Sequence, residues 1–504
     1  MLSVTDPAPF PAPPMSFNMA AHVLQHVERL EDKTALSIIG LRAQTFTYSQ
    51  LAKAIRGTAT GLLQHGLIPG DRLLLQLGNR AECPITYLGA ITAGIIPVPV
   101  SSQLTVHEIR NIVAEIKPAL TIRADGMAEG PEPVLGAEAL RAFWALPPAE
   151  YTMGDPDRPA YIIYTSGTSG KPRAVVHAHR AIWARQMMWD GWYGLREDDR
   201  MLHAGAFNWT YTLGTGLMDP WSIGATALIP DETVTPDQLP ALLAEHQATI
   251  FAAAPGIYRR LLRANIPALP YLRHGLSAGE KLAEDYRTVW RTKTGTTIHE
   301  AFGMSECSTF ISGSPTKPAP AGTSGFPQPG RMVAILGSDG PVEHGQPGTI
   351  AIHKSDPGLM IGYLDAPEDT AARFQGDWFL TGDIGIMDDQ GAITYAGRAD
   401  DMMNAGGYRV SPIEVENVLT AHPAIAEAAA CGVQVRKGTT IIAAFYVTTD
   451  MIDDGDLHDF VAARLAGYKC PRVYIAKDTL PRGANNKLLR RVLRTEWEAE
   501  HGQT

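Results

Sequence analysis

Along most of the chain, apolar runs rich in β-branched residues alternate with stretches whose apolar positions recur at helical spacing. That alternation is the pattern of sheets covered by helices. Leu51, Ile55, Leu62 and Leu63 mark one face of a helix over residues 51–65, Pro69 and Gly70 supply a turn, and residues 72–77 follow as a strand. The rhythm returns later, with strands over 249–253, 274–277 and 297–301 and helices over 255–263 and 281–292. The charge-free stretch 84–106 is long enough to raise a membrane span. Pro97 and Pro99, with Gly89 and Gly94, fit better a buried helix followed by a short strand.

From about Gly325 to Gly397 the texture changes to short strands broken by Gly and Pro, a β-rich subdomain. The segment AGRADDMMNAGGYRVSP that follows is polar and glycine-bearing, the composition of an exposed connection. Beyond it, a helix over 413–419, strands over 425–433 and 440–447 and a helix over 457–465 make a compact α+β segment. The expected class is therefore α/β. Residues 1–398 form a large N-terminal domain of helix-covered sheets, with the β-rich subdomain over 325–397, and residues 399–504 form a small α+β C-terminal domain. Residues 1–14, rich in proline, read as a loose arm without chemistry.

Composition narrows the partners. With 45% hydrophobic and 19% charged residues over 504 positions, the chain can bury a large core and is not disordered throughout. A net charge of −10 gives no diffuse positive field for nucleic acid or anionic lipid, so any bound phosphate needs a local cradle. Cys83, Cys307, Cys431 and Cys470 lie far apart and form no CxxC pair, which argues against a disulfide framework or a cysteine zinc site and suits a reducing compartment. The start MLSVTDPAPFPAPPMSF has neither a basic opening nor an unbroken apolar core, so export is not expected. The expectation is a soluble cytoplasmic protein without a nucleic-acid partner or an integral membrane segment.

Such a cradle is present in YIIYTSGTSGKPR, residues 161–173. An apolar strand runs into a loop in which Thr165, Ser166, Thr168 and Ser169 offer hydroxyls, Gly167 and Gly170 permit close backbone approach, and Lys171 and Arg173 add charge. A surface turn rich in Ser and Gly is the plainer reading. The loop is not a Walker A motif, because Thr165 stands where its first Gly belongs and Pro172 follows Lys171.

This loop resembles the signature of the adenylate-forming superfamily of acyl-CoA synthetases, peptide adenylation domains and luciferases. Similar to that family, in order, are SAGEKL (277–282), EAFGMSE (300–306), FLTGD (379–383), GRADD (397–401), GGYRVSP (406–412) and LPRGANNK (480–487). The resemblance spans nearly the whole chain and implies a two-step ligase using ATP, Mg²⁺ and coenzyme A. A carboxylic acid and MgATP give an acyl adenylate and pyrophosphate, and the thiol of CoA then displaces AMP.

Carried onto this sequence, the resemblance gives each motif a role. Residues 165–171 hold phosphates. Phe302, between Ala301 and Gly303, offers an aromatic plate to the purine, standing where the family uses Tyr, while Gly279, Glu280 and Lys281 frame the base edge. Ser305 and Glu306 suit Mg²⁺ on the triphosphate. Asp383, in a Thr-Gly-Asp turn, can accept both hydrogen bonds of the ribose diol, and Arg398 completes that recognition. Lys487 is the catalytic cation for the attack of carboxylate on the α-phosphorus, although Asn486 precedes it where the family has Gly. Arg409 reaches phosphate.

The same resemblance makes the small domain mobile, with Asp400 as hinge and Gly407 and Tyr408 near the CoA channel. The acyl pocket falls on a helix after the phosphate loop, where LHAGAFNWTYTLGTGLMDPW puts forward Phe207, Trp209 and Tyr211, bulky walls suited to a small or aromatic acid. Two other readings stay open: loading of a carrier protein in trans, and a non-catalytic nucleotide sensor. A homodimer is compatible with the sequence.

Overall fold

The computed structural model describes residues 1–130, 132–165, 173–399, 401–405, 408–436, 439–448, 452–465, 467–483 and 488–501. They fall into two compact units, one of Thr5–Met332 with Ile352–Phe379, the other of Met1–Val4, Val333–Ala351 and Leu380–Thr504.

The first unit is built on a nine-stranded sheet. Its parallel centre runs, in spatial order, through Thr297–Met304, His274–Ala278, Ile250–Ala253, Arg200–His203, Thr226–Pro230 and Thr34–Ile39. These strands are short and almost wholly buried, as expected of a parallel sheet covered on both faces. Antiparallel strands close both edges, Gln44–Thr47 on one side, Ser308–Ser312 and Phe326–Pro327 on the other. A parallel four-stranded sheet takes the order Ile96–Pro99, Arg72–Gln76, Leu120–Arg123, Val134–Gly136.

The 84–106 stretch resolves as expected. Helix Glu82–Thr92 is buried along its whole length, and strand Ile96–Pro99 follows it. No helix of the described residues is long and apolar enough to cross a membrane. A third sheet of the unit joins Pro159–Thr165, Arg173–Ala178 and Gly362–Tyr363.

In the second unit, strand Trp378–Met387 pairs antiparallel with Ile393–Arg398. Further along, Ile425–Arg436 and Thr439–Thr448 form a long antiparallel pair, with Val473–Ala476 parallel to the latter. Helices Pro412–Thr420, Asp454–Ala462 and Arg490–His501 accompany this sheet, each presenting buried apolar residues such as Val415, Leu457 and Leu493.

Two local expectations are corrected. The N-terminal arm is docked, because Leu2 bridges Glu343, Val4 bridges Ala334, and Ser3 N donates to Val342 O at 2.7 Å, so its backbone extends a sheet despite the prolines beyond it. Residues 5–14 are also tied down, with Trp183 Nε1 donating to Pro11 O at 2.7 Å. The Thr381-Gly382-Asp383 triplet lies inside strand Trp378–Met387 rather than in a turn. Gly382 adopts φ +78°, which an L-residue rarely takes, and this local twist lets the strand run on.

Candidate active site

The candidate site in the first unit is built around the ends of strands Pro159–Thr165 and Arg173–Ala178. Thr165 and Arg173 are cross-strand partners at the end of the hairpin formed by Pro159–Thr165 and Arg173–Ala178. Ser166, Gly167, Thr168, Ser169, Gly170 and Lys171 themselves lie outside the described residues. Arg173 is ion-paired with Asp369, and its guanidinium sits 5.8 Å from the centre of the Tyr363 ring. Tyr363 is held by backbone pairing to Val175, and its hydroxyl donates to Glu306 Oε1 at 2.7 Å. Burial first, then the charge of Glu306, push the Tyr363 phenol well above its ordinary range, so it remains a donor. The expected phosphate loop and the expected metal ligand, far apart in sequence, are thus connected through one tyrosine.

Glu306 stands in the turn between Thr297–Met304 and Ser308–Ser312, and the turn is fixed from several sides. Met360 N donates to Glu306 O at 2.7 Å, and His177 donates from Nε2 to Ser305 O at 2.7 Å. Burial lowers His177 to about 4, so it is neutral at physiological pH. Gly303 is required by space, since a Cβ there would lie 2.2 Å from the carbonyl oxygen of Ser308. Phe302, half-buried on the same strand, meets the edge of Phe310 at 5.4 Å and 80°. Ala301 pairs with Ala278, which brings Gly279, Glu280 and Lys281 beside the Phe302 strand. Gly279 turns there at φ +99°, and Glu300 Oε2 anchors the segment by accepting from Leu282 N at 3.1 Å and from Arg287 at 2.5 Å.

The Glu306 carboxylate is compatible with Mg²⁺, which commonly takes one or two carboxylates and completes its shell with substrate phosphates and water. Tyr363 is the only partner of the Glu306 carboxylate among the described residues, leaving Oε2 to coordinate. No cluster of three or more metal-ligating side chains occurs among the described residues, so a protein-only metal cage is absent from them.

In the second unit, Asp383 and Arg398 are directly opposed across the Trp378–Met387 and Ile393–Arg398 pair, with Arg398 donating to Asp383 Oδ2 at 3.2 Å. Asp383 N donates to Thr381 Oγ1 at 3.0 Å, and Thr381 Oγ1 donates to Ile350 O at 2.8 Å. Tyr395 also hydrogen-bonds Asp383, and burial followed by that carboxylate's charge pushes its phenol upward. Arg409 has a described backbone, paired with Asn404, and Tyr408 pairs with Ala405; the side chains of both lie outside the described residues, as do Asp400, Gly407 and Lys487.

The expected acyl-pocket residues do not sit on one regular helix. Strand Arg200–His203 leads into an irregular loop carrying Phe207 and Trp209, and a π-helix over Thr212–Met218 follows Tyr211. Asn79 holds this loop, donating to Gly205 O at 2.7 Å and accepting from Phe207 N at 3.0 Å. Phe207 is buried in the large core cluster, whereas Tyr211 packs in another, stacked on Trp192 at 5.8 Å. Tyr363, His177, Glu300 and Asn79 were not singled out from sequence. Only Glu300 carried a local signal, as the first residue of EAFGMSE.

Comparison with known proteins identifies the family. The family model described as AMP-binding enzyme matches residues 23–364, and that of the AMP-binding enzyme C-terminal domain matches residues 414–487. The benzoate–CoA ligase of Thauera aromatica is 32% identical over 489 residues, covering 90% of this chain and 91% of that protein. The 3-hydroxybenzoate–CoA ligase of Aromatoleum sp. (strain CIB) is 30% identical over 477 residues, covering 88% and 90%. Among solved structures, a benzoate CoA ligase from Burkholderia xenovorans LB400 superposes with a TM-score of 0.84 at 30% identity, covering 95% of this chain and 100% of that one. With both family models matched in sequence order and a relative 32% identical over nearly the whole chain, the chain belongs to the family of AMP-binding enzymes, the adenylate-forming acyl-CoA synthetases.

Proposed function

We propose that this AMP-forming acid–thiol ligase acts on an aromatic carboxylic acid of the benzoate class. The reaction class is an ATP-dependent acid:CoA ligation through an acyl adenylate. In the first step a carboxylate oxygen attacks the α-phosphorus and the bond to pyrophosphate breaks. In the second the CoA sulfur attacks the acyl carbon, its proton is lost, and AMP leaves with the bonding pair. The observation that carries the reading is the link from Glu306 through Tyr363 to Arg173 at the loop mouth. A held carboxylate and a cation joined through one tyrosine beside the glycine- and hydroxyl-rich segment support a triphosphate site there.

The residues divide this work. Glu306 would hold Mg²⁺, which neutralises phosphate charge when bound. Phe302 supports the purine, Asp383 accepts the ribose hydroxyls with Arg398 fixing its carboxylate, and Lys487 stabilises the charge that develops as the carboxylate attacks the α-phosphorus. Asp400 as hinge, Gly407 and Tyr408 as channel, and Arg409 as phosphate contact belong to the same proposal, as does the movement of residues 399–504. The aromatic-acid class is supported by the benzoate and hydroxybenzoate ligases among the relatives and by Phe207, Trp209 and Tyr211 after strand Arg200–His203. These relatives are named CoA ligases, which does not favour a carrier protein or a silent sensor. The four cysteines are all free and buried, in keeping with a cytoplasmic location.

The test is acid-dependent pyrophosphate release and CoA thioester formation across a panel of aliphatic and aromatic acids, with Lys487→Ala beside the wild type. Aromatic acids should lead the panel. The variant should lose about 10²-fold in adenylation, about 2.7 kcal/mol, while converting supplied acyl adenylate to thioester at near the wild-type rate. Equal loss in both half-reactions removes Lys487 from its role, and pyrophosphate release confined to aliphatic acids removes the aromatic assignment.

A further inference from the structure

His203 ends the central strand Arg200–His203, opposite Ala252, at the point where the chain enters the loop of Phe207, Trp209 and Tyr211. Its side chain is fully buried, yet neither ring nitrogen has a partner on any other described residue. Thr212, also fully buried, begins the π-helix, and its hydroxyl is likewise without a partner. The two side chains converge on the bare Cα of Gly205. A Cβ built there would stand 2.3 Å from Thr212 Oγ1 and 3.1 Å from His203 Nδ1. Gly216 clears the other flank of the imidazole, since a Cβ on it would lie 2.9 Å from His203 Cβ and Cγ.

Tyr211 contributes the apolar wall, its ring edge-on to the imidazole at 4.4 Å and 71°, while its own hydroxyl is already engaged with Leu276 O at 3.3 Å. The polar capacity left over at this place therefore belongs to His203 and Thr212. Leaving a buried polar group unpaired costs about 1–3 kcal/mol each, so two together ask for an occupant. Local π-helix also recurs at functional sites, because its widened turn displaces side chains from regular packing.

We propose that His203 and Thr212 recognise a neutral hydrogen-bonding substituent, a hydroxyl or amino group, on the ring of the aromatic acid. Burial keeps the imidazole neutral, so it presents one N–H donor and one lone pair, and the threonine hydroxyl can serve either way. The complement of that set is a group that both donates and accepts. A second carboxylate does not fit, because the nearby Arg185 guanidinium is already neutralised by Asp219 at 2.7 Å and the imidazole carries no charge. This inference rests on the aromatic-acid reading above.

The experiment compares kcat/KM for acid-dependent pyrophosphate release with benzoate, 3- and 4-hydroxybenzoate and 3- and 4-aminobenzoate. The enzymes are wild type, His203→Leu, His203→Gln and the near-isosteric Thr212→Val. In the wild type the best substituted acid should exceed benzoate by about 10-fold or more, since a site built for a hydrogen bond rejects the analogue that lacks it. That ratio should fall to within about 3-fold in His203→Leu and Thr212→Val, mainly through KM, and recover in part in His203→Gln. A purely structural role would lower all acids together and leave the ratio where it was. A water molecule alone at the site would give a wild-type ratio near one. Either result, with benzoate turned over, overturns the role of His203 and Thr212 and leaves the aromatic-acid reading standing. Pyrophosphate release with none of the five acids overturns both.

Discussion

Replacing Tyr363 by Phe removes one hydroxyl from the link between Glu306 and the phosphate-loop mouth while keeping the ring beside Arg173. The backbone of Tyr363 is fixed independently, by its pairing with Val175 and by Tyr363 N donating to Thr370 Oγ1 at 2.9 Å, so the ring should stay in place. The lost bond is 2.7 Å long and ends on a carboxylate. Hydrogen bonds to charged groups contribute about 1.5–3 kcal/mol when buried; Tyr363 is only partly buried, which points to the lower end. About 1.4 kcal/mol is tenfold. Pyrophosphate release at limiting Mg²⁺ should therefore fall about 10-fold, the Mg²⁺ concentration giving half-maximal rate should rise by a similar factor, and calorimetry should register weaker MgATP binding. Thioester formation from supplied acyl adenylate, which needs no triphosphate, should change little. A rate that falls with no change in the Mg²⁺ requirement would refute the reasoning, because Tyr363 would then be acting on something other than Glu306.

Two further outcomes concern stability. Arg185 and Asp219 form a buried ion pair at 2.7 Å, with Tyr193 also donating to Asp219 Oδ2 at 2.7 Å, so Asp219→Ala should strand a buried guanidinium at a cost of about 3–5 kcal/mol in urea unfolding. The double replacement Arg185→Met with Asp219→Leu should regain most of that loss, and a double variant as unstable as the single one would contradict it. His177 and His274 are lowered from 6.5 to about 4, and His179 and His299 to about 3, chiefly by burial. Their folded values lie below the unfolded one, so the unfolded chain takes up more protons below about pH 6.5. Stability is held above that pH and lost as pH falls towards 4, by about 1.4 kcal/mol per histidine at pH 5.5. The thermal midpoint should drop steeply between pH 7 and 5.5; a flat profile there would show that these rings are solvated.

Most of the sheet was legible because its strands are short, apolar and bounded by breakers. The expected strands 249–253, 274–277 and 297–301 correspond to Ile250–Ala253, His274–Ala278 and Thr297–Met304, each followed or preceded by the helix expected of it. Periodicity misled where the backbone leaves the regular periods. The π-helix Thr212–Met218 has neither a 3.6-residue nor a 2-residue rhythm, and two of its neighbours in space, Arg185 and His203, come from elsewhere in the chain. The N-terminal arm misled by composition. Its prolines suggest looseness, but pairing at Leu2 and Val4 needs only a few free amides, which those residues have.

The candidate site divides along the same line. Groups that touch a nucleotide must lie where the backbone can approach it, so they are expected in short glycine-bearing motifs, and Phe302, Glu306 and Asp383, proposed for that role, could be picked out one motif at a time. The groups that hold them have no such constraint. Tyr363 reaches Glu306 across 57 residues of sequence and His177 reaches Ser305 across 128, with no flanking pattern that marks either. The proposed acid contact is less legible still: His203 closes strand Arg200–His203, between Thr226–Pro230 and Ile250–Ala253, and nothing in its local sequence marks it. The two polar side chains proposed to meet the acid lie nine positions apart, packed against the bare Cα atoms of Gly205 and Gly216, and no property of the four residues taken singly distinguishes that arrangement from an ordinary strand end.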